Sequence, residues 1–154
     1  MRKYARQFIA KKISLSYEPV ERTVITDKKW LSFVIEQVIS NAVKYTKTGG
    51  IKIYLEDGDG TMLVPVQKAS HRKEDDGENS GMKSVCLVIE DTGIGIRAED
   101  LPRICEMGYT GCNGHEGQHS SGIGLYLCSR ILKKLGHAFS ITSKEGVGTV
   151  VKIG

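Results

Sequence analysis

Asp91 stands just beyond the apolar run Val85-Cys86-Leu87-Val88-Ile89, and Thr92-Gly93-Ile94-Gly95-Ile96 follows it. A strand ending in Asp-x-Gly-x-Gly delivers a fixed carboxylate into a pocket floored by bare backbone, the arrangement needed to read the amino edge of a flat heterocycle. An aspartate that merely caps the loop after a strand would explain Asp91, but not the paired glycines. Asn41 lies in a segment of helical periodicity, and Lys44 and Tyr45 follow it by three and four positions, on the same side of a helix. A second glycine pair, Gly122-Ile123-Gly124-Leu125, precedes another helical segment. Unobstructed backbone N–H groups there could face phosphate oxygens, helped by the helix dipole, although a glycine pair alone more often marks a turn.

The elements that must position these residues are readable from periodicity. Residues 2–11 read as a short helix, and Ile13 to Tyr17 alternates as a strand, with Val20 to Ile25 as a possible hairpin partner. Asp27 is the expected N-cap of a helix whose stripe is Leu31, Val34, Ile35, Val38, Ile39, Ala42 and Val43. Thr48-Gly49-Gly50 stops it, and Ile51 to Leu55 alternates as a strand. Residues 57–83 read as an inserted surface connection between two strands, either a docking loop or a tolerated insertion. Residues 97–121 predict a short helical turn and then a loop; Gly108, Gly111, Gly114 and Gly117 give that loop backbone freedom, so it is expected to be mobile. A helix from Ile123 to Leu135, with Ile123, Tyr126, Leu127, Ile131, Leu132 and Leu135 on one face, should end at Gly136. Ala138 to Thr142 and Val147 to Ile153 close the sheet through a turn at Ser143-Lys144-Glu145-Gly146. The fold expected is α+β, a two-layer α/β sandwich of a mixed sheet against three main helices, as one domain over 1–154.

Composition bounds the function. A chain of 154 residues can bury about 68–70% of its unfolded surface, enough for one core without metal or disulfide. No apolar run approaches the roughly 20 residues of a membrane helix, and no signal-peptide pattern opens the chain, so the sequence reads as a soluble piece. Cys86, Cys105, Cys112 and Cys128 show no pairing pattern and read as reduced thiols. A net charge of +4 is scattered, and aromatics at 6% leave no basic stripe interleaved with stacking rings, which argues against nucleic acid as a partner. Cys112-x-x-His115-x-x-x-His119, with Cys105 and Cys128 elsewhere, is permissive for zinc without being diagnostic. His71 and His137 read as surface or strand-edge residues.

Taken together, Gln37-Val38-Ile39-Ser40-Asn41-Ala42-Val43-Lys44-Tyr45-Thr46, Asp91 to Ile96, Gly122 to Leu125 and Gly146-Val147-Gly148-Thr149 resemble, in order and spacing, the N box and glycine boxes of the Bergerat-fold (GHKL) domain. Histidine kinases, type II topoisomerases, mismatch-repair ATPases and heat-shock chaperones share that domain. The Asn-Ala-x-Lys-Tyr-Thr form resembles the sensor histidine kinase branch of two-component systems. Lys28-Lys29-Trp30-Leu31, Leu101-Pro102-Arg103-Ile104 and Gly122 to Leu127 are similar to the short intramembrane-sensing kinases that work beside peptide-antibiotic transporters.

The resemblance implies ATP and Mg2+ as ligands. Asn41 would ligate magnesium, a hard cation that takes few protein oxygens, unless it is a helix amide satisfied by a neighbour. Lys44 would support phosphates or ribose and act with Asn41 in catalysis, and Tyr45 would pack on adenine; a solvated lysine and a core-edge tyrosine are the alternatives. Asp91 would accept the adenine amino proton, with Gly93, Gly95 and Ile96 around it and Thr149 in support, unless Thr149 is an ordinary strand residue. Gly122, Gly124 and Leu125 would face the phosphates, and 97–121 would be the ATP lid. Where the family often anchors that lid with two phenylalanines, this chain has Cys105 and Tyr109, which puts the anchor in doubt. Hydrolytic branches carry a glutamate where this chain has Gln37, so water attack should be poorly assisted; Glu36 is about 100° round the helix. The implied activity is transfer of the ATP γ-phosphate to a histidine on a separate dimerisation domain, with a response regulator downstream. The whole protein would be a membrane-anchored homodimer with this domain in the cytoplasm. The alternatives are a serine kinase of the anti-sigma type and a nucleotide-binding module without transferase activity.

Overall fold

The computed structural model describes residues 4–19, 23–57, 85–111 and 121–154. Its helices are α1 (Ala5–Lys11), α2 (Lys28–Tyr45) and α3 (Gly124–Leu135), and its strands are β1 (Ser14–Tyr17), β2 (Gly50–Asp57), β3 (Val85–Asp91), β4 (Phe139–Lys144) and β5 (Gly148–Ile153). The strands form one sheet in the order β1-β2-β3-β5-β4. β1 runs parallel to β2 and all other pairs are antiparallel. The sheet is mixed, as expected.

Asp27 starts α2 by accepting hydrogen bonds from the amides of Lys29 at 2.9 Å and Trp30 at 3.1 Å. Two donors that the first helical turn would leave orphaned are satisfied in this way, a contribution of about 1 kcal/mol. The apolar stripe then buries Val34, Val38, Ile39, Ala42 and Val43. They join Tyr4 and Phe8 near and on α1, Cys128 and Leu132 on α3, and the sheet residues Ile51, Ile89, Val151 and Ile153 in one core. The register places Ile53 opposite Ile89 and Ile89 opposite Val151, so one sheet face is an apolar floor for the helices. At the far end of α2, the Lys11 ammonium donates to the carbonyls of Val43 at 2.7 Å and Lys44 at 3.0 Å, capping the negative end of the dipole.

Three expectations change. β1 pairs with β2; of its expected hairpin partner 20–25, residues 20–22 lie outside the described residues and 23–25 carry no strand, and Ser14 N–H donates to Gly49 O at 2.9 Å where the chain leaves the α2 turn. A four-residue strand gains a partner over its whole length on β2, which local alternation could not disclose. On α3 the buried residues are Cys128 and Leu132, while Ile123 and Leu127 are exposed. The face is rotated because Cys128 is wholly buried and acts as an apolar side chain. Ser143 and Lys144 are strand residues of β4, so the turn lies beyond them. As expected, the segment from 97 opens with a short helical turn, Leu101 N–H to Arg97 O at 3.2 Å, and it continues in successive turns, such as Arg103 N–H to Asp100 O at 2.9 Å and Glu106 N–H to Arg103 O at 2.8 Å.

β2 and β3 are antiparallel neighbours; the expected connection between them falls on 58–84, which lies outside the described residues. So do Cys112, His115 and His119 of the zinc pattern and 112–120 of the loop read as mobile. Among the described residues no group of three or more His, Cys, Asp or Glu could hold a metal, Cys86, Cys105 and Cys128 are free thiols, and no helix is long and apolar enough to cross a membrane. His137 is half-buried and tied at both ring nitrogens, to Gly154 O at 2.9 Å and to Thr26 Oγ1 at 2.8 Å.

Candidate functional site

Between α2, the β3–β5 end of the sheet and the start of α3 lies a cavity of about 340 Å³. α2 contributes Gln37, Asn41, Lys44 and Tyr45; β3 and the turn after it contribute Ile89, Asp91, Gly95 and Ile96; β5 contributes Thr149 and Val151. Gly122, Gly124 and Leu125 complete it from the start of α3. Apolar side chains and a few convergent polar groups are what a binding site for a flat, polar-edged molecule needs.

Asp91 is the last residue of β3 and faces Thr149 across the ladder to β5. Its Oδ1 accepts the Gly93 amide at 2.8 Å. Burial pushes the carboxyl above the usual carboxylate value, opposed by the Gly93 and Thr149 backbone amides and reinforced by Glu90. The Asp91 carboxylate is thus a positioned acceptor held in a partly desolvated wall. The turn after it is fixed by close approach: Gly95 has φ +69°, and a Cβ there would come within 2.1 Å of Lys144 O. Ile96 N–H donates to Ser143 Oγ at 2.9 Å, and Ser143 Oγ in turn lies 2.7 Å from Gly148 O and 2.9 Å from Thr149 Oγ1.

α3 begins without a side-chain cap. Its first amides have no partner within the helix, and Gly122, Gly124 and Leu125 line the cavity there, a ready site for anionic oxygen. Asn41 Oδ1 accepts from Gln37 Nε2 at 3.5 Å, and the Lys44 ammonium lies 5.2 Å from the centre of the Tyr45 ring. The segments on either side of 112–120 meet at a neck. Gly108 N–H donates to Gly122 O at 3.1 Å, and Gly122, at φ +66°, lies so close that a Cβ would come within 2.5 Å of Gly108 C. Tyr109 Oη donates to the carboxylate of Asp100, which is 6% exposed, and the Arg103 guanidinium lies 4.5 Å from the centre of the Tyr109 ring.

Comparison with known proteins places this geometry. A family model described as histidine kinase-, DNA gyrase B- and HSP90-like ATPase matches residues 26–154. The chain belongs to this family. Among curated relatives it is 35% identical over 135 residues to the sensor histidine kinase YxdK of Bacillus subtilis (strain 168), covering 86% of this chain and 34% of that protein. It is 34% identical over 134 residues to the sensor protein kinase GraS of Staphylococcus aureus (strain MRSA252), covering 87% of this chain and 32% of that one. It therefore spans about a third of these relatives and is homologous to the ATPase domains of two-component sensor histidine kinases. Similar folds are full-length ShkA in complex with AMPPNP (TM-score 0.70, 21% identity, 99% of this chain and 27% of that one) and the catalytic domain of histidine kinase ThkA (TM-score 0.69, 19% identity, 99% and 84%).

Within this ATPase domain the cavity brings together Asn41, Lys44, Tyr45, Asp91, Gly95, Ile96, Gly122, Gly124, Leu125 and Thr149, all singled out from the sequence. Gly93 is not among the lining residues; it is buried behind the wall, with its amide on Asp91. Glu36 is exposed and does not line the cavity, whereas Gln37 does. Sequence reasoning missed Asp100, Ile141 and the support given by Ser143. Ser143 carried no signal because it reads as a turn residue, and Asp100 none because acids are ordinary in turns. The two positions at which the resemblance leads one to expect phenylalanines differ in their contacts. Tyr109 replaces apolar volume with a hydrogen bond to a buried carboxylate, while Cys105 is half-buried near Cys128, whose thiol burial and the Cys105 thiol push up to about 12.

Proposed function

We propose that this domain binds ATP with Mg2+ and positions the γ-phosphate for attack by a histidine on a separate helical dimerisation domain. The observation that carries the reading is the lining of one cavity, which an acceptor pair, Asp91 and Thr149, shares with Asn41, Lys44 and the uncapped start of α3. Guanine would present a carbonyl oxygen to Asp91 and is disfavoured, whereas adenine presents an amino donor. Ile89, Ile96 and Val151 supply the apolar surface for the ring, and Tyr45 packs at its edge. Gly122, Gly124 and Leu125 offer backbone N–H groups to phosphate oxygens, and Lys44 adds positive charge. With no cluster of acidic or imidazole ligands among the described residues, the Asn41 amide oxygen is the protein group that fits magnesium, the remaining oxygens coming from water and nucleotide. The ion would neutralise charge on the transferring phosphoryl group, a reaction that demands mainly positioning and electrostatic stabilisation from the protein.

Gln37 supports transfer over hydrolysis. It occupies the cavity beside Asn41, and its amide cannot take a proton from water at neutral pH. The full-length protein is read as a membrane-anchored homodimeric sensor of the intramembrane-sensing type, with this domain in the cytoplasm and a response regulator as acceptor downstream. Incubating the chain with γ-labelled ATP and the histidine-bearing helical domain of the full-length kinase tests this. Acid-labile phosphate should appear on that domain, be lost in Asn41→Ala, and be accompanied by slow hydrolysis when the chain is alone. Fast hydrolysis by the chain alone, abolished in Asn41→Ala and without transfer, would point to an ATPase module instead.

A further inference from the structure

The hydroxyl network behind Asp91 has a proton count that closes in one way. Ser143 Oγ has three neighbours: Gly148 O at 2.7 Å, Thr149 Oγ1 at 2.9 Å and the Ile96 amide nitrogen at 2.9 Å. A serine hydroxyl holds one proton and two lone pairs, a carbonyl only accepts, and an amide N–H only donates. The Ser143 proton therefore goes to Gly148 O, its lone pairs take the Ile96 N–H and the Thr149 O–H, and the Thr149 proton is used up. Thr149 lines the cavity opposite Asp91 in the strand register, so all its hydroxyl can offer a ligand is an acceptor.

We propose that Ser143 is a positioning residue for base specificity: by holding the Thr149 proton it turns Asp91 and Thr149 into a wall of two acceptors, which takes a 6-aminopurine and rejects a 6-oxopurine. The inference rests on the adenine reading above and deepens it. Without Ser143 the Thr149 hydroxyl can turn and donate to a 6-oxo group, and half of the rejection disappears. Ser143 itself does not line the cavity, so its influence on the base passes through Thr149.

The test is a titration of the chain with ATP and with inosine triphosphate, which changes the purine 6-position and the protonation of N1 without adding a 2-amino group. The wild type should prefer ATP. In Ser143→Ala the ATP-to-inosine triphosphate affinity ratio should fall by about fivefold or more, the size of one polar mismatch, and Ser143→Thr, which keeps a hydroxyl on a strand where β-branching fits, should restore it. Thr149→Val, which removes the acceptor at constant shape, should also lower the ratio. A purely structural role, such as bracing the Ile96 amide, would weaken both nucleotides alike. An unchanged ratio in both Ser143→Ala and Thr149→Val would overturn the inference while leaving ATP binding intact. Equal wild-type affinity for the two nucleotides would overturn the adenine reading and this inference with it.

Discussion

Tyr109→Phe should loosen the neck between Gly108 and Gly122 even though it installs the residue type that the resemblance leads one to expect at this position. The ring stays, so no cavity opens and Arg103 keeps its place 4.5 Å from the ring centre. What is lost is the phenol proton on the Asp100 carboxylate, which is 6% exposed and would be left short of a partner. Hydrogen bonds to charged groups contribute about 1.5–3 kcal/mol, so local opening should become easier by about 10- to 100-fold. The readout is native-state hydrogen exchange at the Gly108 amide, which donates across the neck to Gly122 O at 3.1 Å and exchanges only when the neck parts. Its exchange should accelerate by that factor while amides of α2, such as Val38, stay slow. Asp100→Asn, whose amide oxygen can still accept the phenol proton, should cost less than Tyr109→Phe. Gly108 exchange within about twofold of wild type in Tyr109→Phe would refute the reasoning and return the anchor to apolar contact alone.

Two further outcomes follow from the same geometry. The folded-state Asp91 carboxyl titrates above its ordinary value of 3.8, chiefly through burial, so its contribution to stability is fully present below that value and is lost as pH rises through the folded-state value. Asp91→Asn should therefore raise the melting temperature of the empty domain by a few degrees at pH 7, with the gain vanishing below about pH 4; a gain that persists or grows in acid would contradict the sign. Asn41→Ala should reduce the affinity gained on adding magnesium by at least about tenfold, the scale of changes around metal sites, while adenosine binding in titrations without magnesium stays as it was.

How much of this was legible in the sequence depended on how local each cause was. The Asp27 cap, the α2 stripe, the Gly136 stop and the strand ending at Asp91 are set by residues within a few positions of one another, and periodicity finds them. The partner of β1 is set by a parallel strand far along the chain, and local alternation is silent on it. The α3 face was misjudged because Cys128 counts as neutral in a sequence pattern yet is wholly buried in the core. That Asp91, Gly95, Gly122 and Gly124 would gather round one cavity could be read from their spacing after a strand and before a helix. Ser143 and Asp100 could not, since each acts through a single contact, with Thr149 and Tyr109, that only the fold creates.

The central claim is that Asp91 reads the purine edge in the cavity between α2 and the sheet. Calorimetric titration of the chain with ATP and GTP, for wild type and Asp91→Asn, tests it most directly. The account predicts that the wild type binds ATP in preference to GTP and that Asp91→Asn weakens ATP binding by about 1–3 kcal/mol, the cost of disturbing a buried hydrogen bond. Equal ATP affinity in the variant and the wild type would contradict it and remove Asp91 from the site.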